Sequence, residues 1–123
     1  VVAIIGILSA VVLTSLGNAR NSAKDSAISA QLSSIRAQAE LVAVTDGNYD
    51  GVCDDSQVSA IITATTADSP ASATCTDDAT AWMATAQMHK ASSTSGNEIY
   101  FCADSTGFAG EQDQAAASTG TAC

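Results

Sequence analysis

The first sixteen residues, VVAIIGILSAVVLTSL, carry no charge, and the helical register runs on beyond them without a break. A helix that is apolar on every side needs lipid, identical neighbours or both around it. After Gly17 and Asn18 the pattern becomes amphipathic. Ile28, Leu32, Ile35, Ala39 and Val42 recur in steps of four and three, with Ser, Gln, Arg and Glu between them. This predicts a nearly continuous helix over residues 1–44, greasy all round in its first half and along one stripe in its second. Asp46-Gly47 offers its stop, with glycine beyond the last turn.

The rest of the chain has shorter periods. Residues 55–63 read as a short helix, capped by Asp54 or Asp55, with Val58, Ile61 and Ile62 inward. Residues 64–78 are small and polar, include the only proline, Pro70, and read as a loop pinned by Cys75. Residues 80–88 alternate as a strand with Trp82, Ala84, Ala86 and Met88 on one face. A turn over residues 92–97, holding Ser95-Gly96-Asn97, leads to a second strand over 98–103, with Ile99, Phe101 and Ala103 on one face. Asp104 to Gly107 reads as another turn, Phe108 starts a weak third strand, and residues 112–123 form a polar tail. The expected fold is α+β, a long N-terminal helix packed by its C-terminal half on a small antiparallel sheet. Ile28, Leu32, Ile35, Ala39 and Val42 would meet Trp82, Met88, Ile99 and Phe101 there. The organisation expected is a hydrophobic membrane or filament-core helix over residues 1–18 and an extracytoplasmic head over 19–123. The head divides into an amphipathic helix half (19–45), a connecting loop (46–79) and a sheet with its tail (80–123).

Composition makes that head thin. Of 123 residues, 46% are hydrophobic, many of them alanine, and 4% are aromatic. Small domains with little core need staples. Cys53, Cys75, Cys102 and Cys123 lie 22, 27 and 21 residues apart, which is not the spacing of paired zinc ligands. Two disulfides formed in an oxidising compartment fit better. Three connectivities are open. Sequential pairing, Cys53–Cys75 and Cys102–Cys123, is favoured because it closes two local loops, each contributing about 3 kcal/mol in the chain-entropy picture.

The net charge of −9 argues against nucleic-acid binding. Arg20, Lys24 and Arg36 stand in the first third, placed to reach lipid headgroups or a neighbour's acids, and acids dominate from Glu40 onward. Asp46, Asn48, Asp50 and Asp54 follow the start of a calcium-loop pattern around Gly51, although Gln57 stands where the bidentate glutamate belongs. Aspartate, asparagine and glycine are equally the residues that start a turn. No other cofactor is expected. Nor is catalysis: the single histidine, His89, stands beside Lys90, no serine has nucleophile surroundings, and the carboxylates are scattered.

The order of residues 1–13, V-V-A-I-I-G-I-L-S-A-V-V-L, resembles the N-terminal helix of type IV pilins and pseudopilins. The likeness is close over residues 1–15 and extends to the rest only in layout. It implies a subunit made as a prepilin, cut and methylated by a prepilin peptidase, and held in the inner membrane. An assembly machinery then polymerises such subunits into an extracellular filament on the cell surface. The assembly helix would use Val1, Val2, Ile4, Ile5, Gly6 and Ile7, then Leu8, Val11, Val12, Leu13 and Leu16. Two departures stand out. The run begins in mid-hydrophobe, so the resemblance implies residues ahead of Val1, among them the family's glutamate; and Thr14 stands where many members have proline. Independently, Ala3, Gly6, Ser9 and Ala10 recur at spacings of three and four and leave a shallow stripe for close helix approach.

The expectation is therefore a structural subunit of a pilus-like helical homopolymer. Its near alternative is a pseudopilin of a type II secretion or DNA-uptake system. The alternative of another class is a monomeric, membrane-anchored calcium-binding or adhesive surface domain.

Overall fold

A computed structural model of the chain describes residues 1–91, 96–113 and 120–123. The apolar run and the amphipathic stripe are one helix, α1, Val2–Asp46. At 1.5 Å per residue it is about 67 Å long. It stops where glycine permits: Gly47 takes the left-handed conformation (φ 77°), and its N–H reaches the Ala43 carbonyl at 2.8 Å.

Four antiparallel strands follow as a meander in the order β1-β2-β3-β4: β1 Thr74–Asp77, β2 Trp82–Ala91, β3 Glu98–Asp104 and β4 Ala109–Asp113. The register sets Ala84 opposite Ala103 and Ala86 opposite Phe101, so these side chains share a face with Trp82 and Met88. Ile28, Leu32, Ile35 and Ala39 of α1 are fully buried in one cluster with that face, and Val42 and Ile99 pack at its margin. The fold is thus the expected α+β arrangement, a long helix laid by its C-terminal half on a small sheet.

Two segments depart from the sequence pattern. Residues 64–78, expected as loop, hold the end of a helix and a strand. The helix α2 is Ser56–Asp68, and Asp55 caps it by accepting from the N–H groups of Gln57 (2.9 Å) and Val58 (3.2 Å). It runs five residues past the expected end because tertiary burial overrides the poor helix propensity of Thr65. Thr65 is fully buried, and its hydroxyl bonds back to the Ile61 carbonyl at 2.8 Å. The stop comes at Ser69, which is extended (ψ 148°), as a residue before proline prefers. β1 is a four-residue edge strand whose polar sequence, TCTD, gives no apolar alternation. Its pairing with β2 and a 2.8 Å contact between the Thr74 and Thr85 hydroxyls hold it.

β2 also buries both faces. Met83 and Thr85 are 5% and 3% exposed, on the side away from α1. The last described residues lie against that side: Cys123 is bonded to Cys102, and Gly120 accepts from the Thr76 hydroxyl at 3.0 Å. Of the expected turn over residues 92–97, positions 92–95 lie outside the described residues, as do positions 114–119 of the tail.

Candidate assembly surface

The first 23 residues of the chain are exposed on every side. Ten of them are large and apolar: Val1, Val2, Ile4, Ile5, Ile7, Leu8, Val11, Val12, Leu13 and Leu16, each more than half exposed. Gly6 interrupts them, and nothing lies within 4 Å of where a Cβ would stand on it. Two hydroxyls in the most apolar part of the rod are satisfied by the helix itself. Ser9 donates to the Ile5 carbonyl (2.8 Å) and Thr14 to the Ala10 carbonyl (3.0 Å). Every polar side chain between Val1 and Thr14 is therefore satisfied within the helix, the condition for burying a helix in lipid or among other helices. An 18-residue window of α1 reaches a mean hydropathy of 2.0, so the helix is long and apolar enough to cross a membrane.

Asp25 marks where the rod meets the head. It stands on the buried stripe three residues before Ile28 and is 8% exposed. Its carboxylate accepts from two successive backbone N–H groups, His89 to Oδ1 at 2.6 Å and Lys90 to Oδ2 at 3.1 Å. Those N–H groups are available because β2 bulges there. Gln87 pairs with Tyr100 and Ala91 with Glu98, so three residues of β2 face one of β3. The Asp68 carbonyl accepts from His89 Nε2 (2.8 Å), and Gln31 donates to Asp68 Oδ2 (3.2 Å), which ties the end of α2 to the same point. An exposed ion pair, Lys90–Glu111, flanks it. This clamp was missed in the sequence pattern. Its signal was present: an acid in helical step with Ile28, Leu32, Ile35 and Ala39 has to meet donors.

The far end of the head is stapled. Cys53–Cys75 joins the end of the α1–α2 connection to β1, and Cys102–Cys123 joins β3 to the last residue. Asp104, 2% exposed, supports the second staple. Its Oδ1 accepts from the Thr106 N–H (2.9 Å), the Thr106 hydroxyl (2.6 Å) and the Phe108 N–H (3.2 Å), and its Oδ2 from the Cys123 N–H (2.7 Å). Burial alone pushes this carboxyl up, but those donors outweigh it and hold it below its ordinary value of 3.8. The Thr80 hydroxyl and N–H do the same for Asp78, with smaller help from Ala81 and Thr121.

The four calcium candidates take other parts. Asp46 closes α1, Asn48 Oδ1 accepts from the Asp50 N–H at 2.9 Å to form a turn, and Asp54 is exposed beside the α2 cap. Among the described residues no three acidic, histidine or cysteine side chains come together in a way that could hold a metal ion. Around Asp46–Asp54 the residues build turns, in which Asn48 Oδ1 accepts from the Asp50 N–H. Compared with family models, with curated proteins and with solved structures, the chain finds no match.

Proposed function

We propose that the chain is a structural subunit of a pilus-like extracellular filament, polymerising through residues 1–18 with its heads outward. The observation that carries this reading is the rod itself, a wholly exposed apolar helix end continuous with a stapled head. A rod like this is not stable bare in water. Burying a Val, Leu or Ile side chain contributes about 1.5–3 kcal/mol, so ten half-exposed ones offer of order 10 kcal/mol per subunit. Identical neighbours supply that burial in a fibre, and the membrane supplies it beforehand, the inner membrane if the resemblance to pilins holds. A prepilin peptidase and an assembly machinery belong to the reading on the same resemblance. Residue order in positions 1–13 supports a pilin-type assembly over a plain anchor, since an anchor needs no small-residue stripe.

The test is substitution of Ile5→Glu or Ile7→Glu, followed by microscopy of material sheared from producing cells. Both side chains are exposed, so the head folds regardless. Loss of fibres with the head still present in membranes is expected. Fibres in undiminished number would overturn the reading. Monomers in detergent from the unaltered chain, with no fibres on cells, would favour a membrane-anchored surface domain.

A further inference from the structure

A polar cleft opens where the rod meets the head. It holds about 370 Å³, at the low end of the range for small-ligand sites. Asn18, Asn21 and Ser22 of α1 line its end nearest the rod, and Lys90 of β2 and Glu111 of β4 line its head side. The Asp25 clamp holds the Lys90 N–H at 3.1 Å, so the lysine side chain starts from a fixed root. Lys90 pairs with Glu111, and the two side chains are 46% and 44% exposed. An exposed pair of this kind holds weakly, so a ligand with both signs of charge can take its place. Asn18, Asn21 and Ser22 are exposed, and their side chains have no hydrogen-bond partner among the described residues.

The height of the cleft points to its occupant. Asn18 is the first amide side chain after the apolar run. Arg20 and Lys24 leave α1 at the same height without lining the cleft. With the rod in a bilayer, these residues mark the level where hydrocarbon gives way to headgroups. We infer that the cleft is the seat of a phospholipid headgroup that carries a phosphate and a primary ammonium together. The inference rests on the membrane stage of the filament reading. Lys90 and the amides of Asn18 and Asn21 donate to the phosphate, and Glu111 accepts from the ammonium. A headgroup with a phosphate alone leaves Glu111 facing an anion, on a chain whose net charge is already −9. A trimethylammonium has no N–H to give to Glu111. The chemistry therefore selects ethanolamine over glycerol and choline headgroups.

The test uses the full chain in phosphatidylcholine vesicles that contain equal minor shares of phosphatidylethanolamine and phosphatidylglycerol. The chain is extracted in mild detergent, and the lipids that stay bound are identified by mass. Phosphatidylethanolamine is expected to be enriched about three- to tenfold over its share of the vesicle, as two weak charge pairs allow. Lys90→Gln with Glu111→Gln is expected to return it to that share. Arg20→Gln with Lys24→Gln, outside the cleft, is expected to keep the enrichment. Lys90 and Glu111 are both exposed, so the head folds in the first variant, and intact disulfides in that variant check it. No enrichment, equal enrichment of phosphatidylglycerol, or enrichment that survives loss of Lys90 and Glu111 overturns the headgroup site and leaves the filament standing. A chain that does not enter vesicles at all overturns both.

Discussion

Two carboxylates hold more of this molecule than their number suggests. Asp25 takes two backbone N–H groups that the β2 bulge leaves without strand partners. Removing it strands those donors in a buried place, at about 1–3 kcal/mol for each unsatisfied group. Asp25→Ala is therefore expected to lower the chemical-denaturation midpoint of the head, while the exposed Asp50→Ala leaves it unchanged. Asp104 gives a pH signature. Its folded pKa lies below 3.8, so its contribution is full above the ordinary aspartate range and is lost as pH falls through the folded value. Stability measured from pH 6 downwards should decline below about 4, and Asp104→Asn should flatten that decline. An unchanged profile in the variant would mean that other carboxylates carry the acid response.

At the scale of elements, the head depends on one helix stripe and two staples. Leu32 is fully buried between α1 and the sheet, and Leu32→Ala is expected to cost about 2–5 kcal/mol in denaturation. Replacing Cys102 and Cys123 together by serine should cost about 3 kcal/mol and raise hydrogen exchange at Thr85 and Cys102 more than in α1. How legible each element was follows from its physics. α1 was readable to within two residues because its period is long and uninterrupted and glycine marks its end. β2 and β3 were readable because their inward faces alternate with Trp82, Met88 and Phe101. The end of α2 was not, since Thr65 is helical only through burial against its neighbours. β1 was not, because a four-residue polar edge strand exists only through its pairing with β2 and its disulfide. Asp25 went unnoticed because its partners are backbone groups 64 and 65 residues away, which no local pattern contains.

The whole molecule is a rod and a head with opposite needs. Head residues find their partners within the chain: core, clamp, staples and turn-capping carboxylates. The large apolar residues of the rod find none. The acidic balance, a net charge of −9, favours solubility of the head and mutual repulsion between copies. The most direct measurement is the image reconstruction of fibres containing this chain. The account predicts a central bundle of α1 rods with the heads at the periphery. Fibres whose contacts run through the heads, with the rods outside the core, would contradict it.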